Sequence, residues 1–199
     1  MIPAKLVVAT SNAGKMREIR KIFAGTNVEL SSLKDIGWEE EIIESGSTFA
    51  ENAEIKARAV YDKIHLPVLA EDSGLVVDIL NGEPGIFSAR YAGEGGNDKL
   101  NNEKLLGKIR DTEGIITAAF VCSAIYIDDT GILRAEGKLE GQIIKTPRGT
   151  NGFGYDPVFM PDGYDITTAE MDPDFKNSIS HRGQAIKKLR KLMSGDEVQ

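Results

Sequence analysis

The sequence predicts an α/β protein built on a mixed sheet, and three observations predict it. Short apolar runs alternate with segments of helical periodicity between residues 5 and 110. Two longer strand-like runs follow, joined by the turn "DDTG", which is a hairpin signal. A last helical segment closes the chain. Helical crossovers leave strands parallel and a hairpin leaves them antiparallel, so the sheet contains both.

The elements follow in order. "KLVVAT" (5–10) is a short apolar run suited to a buried strand. "AGKMREIRKIFAG" (13–25) sets Met16, Ile19, Ile22 and Phe23 at helical spacing, with Gly25 as a stop. "NVELSSL" reads as a second strand and "GWEEEIIESG" (37–46) as an exposed acidic loop. Thr48 and Glu51 have capping-box spacing and open a helix that reaches Tyr61 or beyond. Phe49, Ala53, Ala57 and Val60 share its apolar face; Asn52 and Lys56 lie four apart on a neighbouring one. His65 ends that helix as a C-terminal cap. "LPVLAE" and "LVVDIL" read as strands on either side of an acidic break, and "NGEPG" as a turn. "NDKLNNEKLLGKIR" (97–110) is an amphipathic helix. "GIITAAFVCSAIYI" and "ILRAEGKLEGQII" are the hairpin strands, and "RGTNGFGYDP" is a glycine-rich loop. The final helix runs from about His181 to Met193, with Ser180 as its N-cap.

Bulk properties narrow the function. The 199 residues fit one domain, or one domain with two lobes, and 41% hydrophobic with 28% charged residues is ordinary for a globular protein. No apolar run approaches the roughly 20 residues that span a bilayer. "MIPAKLVVATSN" lacks the pattern of a secretory signal. The single cysteine, Cys122, reads as a small buried hydrophobe, which suits the cytoplasm. A net charge of −7 argues against a nucleic-acid binder, though it leaves room for a small anion in a local pocket.

Four stretches carry candidate chemistry. In "ATSNAGKMREI" a strand ends, a polar loop follows and a helix begins at Lys15. Helix-start amides and a lysine suit phosphate, and Thr10, Ser11 and Asn12 add donors. It is not a P-loop, because Met16 follows the lysine and Ala9 stands where the leading glycine would be. An N-cap beside a solvated lysine is the plainer reading. In "EDSG", Asp72 could hold Mg²⁺ with waters and phosphates completing the octahedron; an ordinary turn is the alternative. In "GTNGFGYDP" the glycine spacing is wrong for a dinucleotide fingerprint, and Phe153 or Tyr155 could either stack on a base or pack inward. In "FKNSISHRGQAIKKL", Lys176, His181 and Arg182 cluster at a helix start. A nucleoside triphosphate needs phosphate donors, metal ligands and a base slot together.

The pieces "ATSNAGK", "GSTFAENAEIKA", "EDSGL", "GEPGIFSARYAGE", "GTNGFGYDPVFMPDGYDITTAEM" and "KNSISHRGQA" resemble, in order, the inosine triphosphate pyrophosphatase family of XTP/dITP diphosphatases. The resemblance implies a bent mixed sheet flanked by helices, with two lobes, a central cleft and a homodimer. It implies Mg²⁺-dependent hydrolysis of ITP, dITP and XTP to the monophosphate and pyrophosphate. Carried onto this chain, Thr10, Ser11, Asn12, Ala13, Gly14 and Lys15 bind the triphosphate, and Lys56 contacts phosphate. Asp72 accepts a proton and binds metal, and Ser73 contacts substrate. Phe153, Gly154, Tyr155 and Asp156 line base and sugar; Lys176, His181 and Arg182 complete base recognition; Arg90 helps near the phosphates. Many members have Asp-Asp where this chain has Glu71-Asp72. The second metal-binding acid is assigned to Glu44, with Glu41 as the fallback. A related pyrophosphatase acting on other modified nucleotides and a non-catalytic nucleotide sensor are the alternatives.

Overall fold

The computed structural model describes residues 2–93 and 96–195. Glu94, at the end of the "GEPGIFSARYAGE" motif, lies outside the described residues. Among the described residues, eleven α-helices and β-strands follow one another: β1 Lys5–Val8, α1 Ala13–Ile22, β2 Glu29–Ser32, α2 Phe49–Ile64, β3 Val68–Val77, α3 Asp98–Lys108, β4 Thr117–Asp128, β5 Gly131–Ile143, β6 Phe159–Pro161, α4 Pro173–Ile179 and α5 His181–Ser194. The strands form one sheet in the order β2-β1-β3-β4-β5-β6. Strand β1 runs parallel to both β2 and β3, and β5 runs antiparallel to β6, so the sheet is mixed as expected.

The chain divides into two compact units. The first comprises Met1–Asp72, Cys122–Gly137 and Arg182–Gln199; the second comprises Ser73–Val121 and Lys138–His181. In the first unit, side-chain alternation along a strand gives two cores. Leu6 and Val8 of β1 pack with Met16, Ile19 and Ile22 of α1 and with Ile186 and Leu189 of α5. Val7 and Ala9 point the other way and pack with Ala53, Ala57 and Val60 of α2. Each fully buried Ile or Leu stabilises the fold by ~1.5–3 kcal/mol relative to exposure. In the second unit, Leu75 and Val77 of β3 pack with Leu105 of α3 and with Phe120, Val158 and Phe159.

Local signals formed most boundaries. Asn12 caps α1 through Oδ1, which accepts the Lys15 N–H at 3.0 Å. Thr48 caps α2 by accepting the Glu51 N–H at 3.1 Å, while the Glu51 carboxylate accepts from the N–H and hydroxyl of Ser47, each at 2.7 Å, and from the Thr48 backbone. His65 caps the C-terminus of α2 in the left-handed region, φ 49°, donating its N–H to the Tyr61 carbonyl. Cys122 is free and fully buried.

Three expectations need correction. Helix α1 ends at Ile22 with Phe23 as its C-cap, ahead of the expected stop at Gly25. The acidic break is no break: β3 runs without interruption through Glu71, Asp72, Ser73 and Gly74. A buried carboxylate is tolerable inside a strand when a cation meets it, and both acids have one. Strand β6 and helix α4 were not foreseen, being three and seven residues long. The start of α4 nonetheless carries a legible signal, Asp172 as N-cap followed by Pro173.

Candidate active site

Strand β3 sets the geometry through its twofold side-chain alternation. Leu69 belongs to the core shared with α1 and α5, and Ala70 to the core shared with α2. Glu71 therefore turns towards α1 and α5, and Asp72 towards α2. This answers why two adjacent acids sit inside a strand: each serves a different face.

On the first face, Glu71 Oε1 lies 2.8 Å from Lys15 Nζ and 3.4 Å from Arg182 Nε. The Cys122 thiol donates to Glu71 Oε2 at 3.4 Å. Arg182 also pairs with Glu18 of α1. Burial would raise the Glu71 pKa, but Arg182, Lys15 and Lys56 outweigh it and hold the carboxyl well below its usual range. Burial likewise opposes the charge on Arg182, and Glu71 and Glu18 overcome it and raise its pKa.

On the second face, Asp72 Oδ1 accepts from Lys56 Nζ at 3.2 Å, and Oδ2 accepts from Asn52 Nδ2 at 3.4 Å. Glu44 Oε2 approaches the same Lys56 Nζ at 3.2 Å. Burial dominates for Asp72 and raises its pKa, with Lys56 and Lys15 pulling the other way. Burial also works against the Lys56 ammonium, yet Asp72, Glu44 and Glu71 together raise its pKa. Two carboxylates thus converge on one buried positive charge. Mg²⁺ requires only one or two carboxylates, with waters and phosphates completing its shell, and hard oxygen donors are its preferred ligands. The pair Asp72 and Glu44 fits that requirement. Among the described residues no group of three or more His, Cys, Asp and Glu forms a metal cluster. Glu41 is exposed.

The loop before α1 is open to solvent. Ser11, Asn12 and Ala13 are exposed, Thr10, Gly14 and Lys15 half-buried. Thr10 Oγ1 accepts the Asn12 N–H at 3.2 Å. The first-turn amides of Ala13 and Gly14 have no carbonyl one turn earlier to reach, which leaves them to an incoming acceptor.

The second unit gathers its own set. Asp156 is buried and accepts from three donors: the Phe153 N–H at 2.8 Å, Lys176 Nζ at 2.6 Å and Thr168 Oγ1 at 2.8 Å. Lys176 Nζ also lies 5.2 Å from the Phe153 ring centroid. A Cβ on Gly152 would stand 1.9 Å from Asp156 Oδ2, and φ there is +80°, so only glycine fits beside the carboxylate. The Tyr155 hydroxyl donates to the Ser88 carbonyl at 2.9 Å. The His181 ring stacks on Phe120, 4.8 Å between centroids. Ser73 is half-buried in β3. Arg90 is exposed, its guanidinium over the Phe87 ring.

The structure thus brings together Lys15 with Arg182, Asp72 with Lys56 and Glu44, and Phe153 with Asp156 and Lys176. Sequence reasoning missed Glu18, Thr168 and the pair Asp98 and Asn102 on α3. The last had a signal: two adjacent asparagines, at 101 and 102, inside a helical segment, where asparagine is a poor choice.

The strand order and the lysine–carboxylate pairs on β3 and the adjoining helices define a mixed-sheet α/β protein built to hold charge within its core. Residues 6–192 match the Ham1 family, and the chain belongs to that family. It is 46% identical over 194 residues to the dITP/XTP pyrophosphatase of Clostridium tetani, spanning 94% of this chain and 95% of that protein. It is 45% identical over 195 residues to the dITP/XTP pyrophosphatase of Bacillus subtilis, spanning 97% and 98%. Among solved structures, the Staphylococcus aureus Ham1 protein is similar with a TM-score of 0.87 at 38% identity, covering 97% of this chain and all of that one.

Proposed function

We propose that the protein hydrolyses non-canonical purine nucleoside triphosphates, ITP, dITP and XTP, to the nucleoside monophosphate and pyrophosphate, with magnesium as cofactor. The observation that carries the proposal is the convergence of Asp72 and Glu44 on one buried cationic position, 3.2 Å from Lys56 Nζ on each side. The names of the C. tetani and B. subtilis relatives support the substrate class.

Asp72 and Glu44 would hold the Mg²⁺ ion, which when bound offsets negative charge on phosphate oxygens. Thr10 to Gly14 offer hydroxyl and amide donors to the triphosphate, and Lys15 and Lys56 add charge. Before binding, Lys15 is paired with Glu71 and Lys56 with Asp72. Asp72 accepts the proton of the water that attacks the α-phosphorus, and pyrophosphate leaves. Burial strengthens this carboxylate as a base, while the neighbouring lysines favour its ionised form. Ser73 contacts the substrate beside it. The base is assigned to Phe153, Gly154, Tyr155 and Asp156 with Lys176, His181 and Arg182. Inosine and xanthine carry an oxygen at C6 where adenine carries an amine, so donors facing C6 favour the former. An unmatched buried donor costs ~1–3 kcal/mol.

A cytoplasmic location, which suits an activity on free nucleotides, and a homodimer belong to the same proposal; light scattering tests the dimer. No helix is long and apolar enough to cross a membrane among the described residues. The functional test is a panel of ITP, dITP, XTP, ATP and GTP with and without Mg²⁺, with pyrophosphate and orthophosphate measured separately. Equimolar IMP and pyrophosphate from ITP, only with Mg²⁺, is the expected result. Untouched ITP, or orthophosphate as the first product, overturns the proposal.

A further inference from the structure

Helix α3 carries two asparagines in its interior, Asn101 and Asn102, although asparagine competes with the helical backbone and weakens it. Both side chains hold backbone outside the helix. Asn101, 2% exposed, donates to the Ala89 carbonyl at 3.1 Å and accepts the Ala92 N–H at 2.7 Å. Asn102 Nδ2 donates to the Gly154 carbonyl at 2.8 Å, besides the Asp98 carbonyl at 2.7 Å. Asp98, one turn earlier on the same face, accepts the Gly154 N–H at Oδ2, 2.7 Å away. Two side chains four residues apart on one helix therefore hold both the N–H and the C=O of a single glycine in the loop after β5.

The glycine so held sits between Phe153 and Tyr155, and its φ is +62°. Glycine has the widest backbone freedom, so the peptide between Phe153 and Tyr155 depends on outside contacts to hold it. Its neighbours are fixed separately: the Phe153 N–H by Asp156, and the Tyr155 hydroxyl by Ser88. Gly154 has a left-handed backbone, and α3 holds both its N–H and its C=O.

We propose that Asp98 and Asn102 are positioning residues that preset the Phe153–Asp156 segment for a planar purine base. The inference rests on the assignment of that segment to the base in the proposed function. Neither residue touches the substrate; both act through the Gly154 peptide. Asn102 is half-buried and Asp98 exposed, so water replaces the Asp98 bond more easily and Asn102 carries the larger effect.

The test combines steady-state kinetics with amide hydrogen exchange at Gly154. Asn102→Ala should raise KM for ITP about ten-fold and Asp98→Ala about three-fold, with kcat within about two-fold of the parent. Asp98→Asn, which keeps an acceptor oxygen, should restore the parent value. Inhibition by Mg²⁺-tripolyphosphate, which has phosphates and no base, should keep its Ki in every variant. Gly154 exchange should quicken at least ten-fold in Asp98→Ala. An unchanged exchange rate overturns the inference, as does a Ki that rises in step with KM, the mark of general loosening. A parent protein that leaves ITP untouched overturns the substrate assignment instead, and Gly154 exchange then still decides whether the clamp exists.

Discussion

Replacing Glu71 by glutamine removes one charge and almost no volume, and its cost follows from the contacts. The Glu71 side chain is fully buried, with Lys15 Nζ at 2.8 Å and Arg182 Nε at 3.4 Å. Removing one partner of a buried pair costs ~3–5 kcal/mol, because the remaining charge stays desolvated. Two features favour the lower end. Arg182 keeps Glu18, and the Lys15 side chain is 17% exposed and regains some hydration. A loss of ~3 kcal/mol is expected at pH 7, read from urea unfolding with an unchanged slope. The pH dependence is the sharper test. The folded pKa of Glu71 is depressed, so its contribution is fully present above the unfolded value of 4.5 and fades as pH falls towards the folded one. At ~1.4 kcal/mol per pH unit, the parent–variant difference should shrink by ~1.4 kcal/mol between pH 7 and pH 3.5. Groups common to both proteins cancel in that difference. A loss under ~1 kcal/mol at pH 7, or a difference that stays level down to pH 3.5, would refute the assignment of Glu71 as the counter-charge of Lys15 and Arg182.

Further expectations rest on single sites. Asp72→Asn should leave the circular dichroism spectrum unchanged and lower kcat on ITP by at least ~100-fold, the usual scale for a lost general base; a near-normal rate would remove Asp72 from the chemistry. Gly152→Ala meets Asp156 Oδ2 and a φ of +80° together, so it should lower stability by at least ~2 kcal/mol in urea unfolding and raise KM for ITP; parent-like values would show that the loop yields there. Burial pushes the Cys122 thiol well above 9.0, and Glu71 beside it adds to the rise. The native protein should therefore resist iodoacetamide at pH 8 and react once unfolded; rapid labelling of the folded protein would contradict the packing.

Most of the fold was legible in local pattern. The apolar spacing of Met16, Ile19 and Ile22 announced α1, and Thr48 with Glu51 announced the start of α2, because periodicity and caps act within a turn or two of chain. The role of β3 was not legible. "EDSG" has the composition of a turn, and whether a strand can run through two acids depends on cations supplied by α1, α2 and α5. The face of each acid was likewise hidden until strand register was known.

The sequence by itself determined the α/β class, the starts of α1 and α2 and the buried cysteine, since these depend on chemistry carried within short segments. Only the tertiary structure decided that Glu71 faces Lys15 and Arg182 while Asp72 faces Lys56, and that α3 grips Gly154. Those pairings join residues far apart in the chain, and Coulomb attraction and hydrogen bonding act over a few ångströms of space, whatever the separation in sequence.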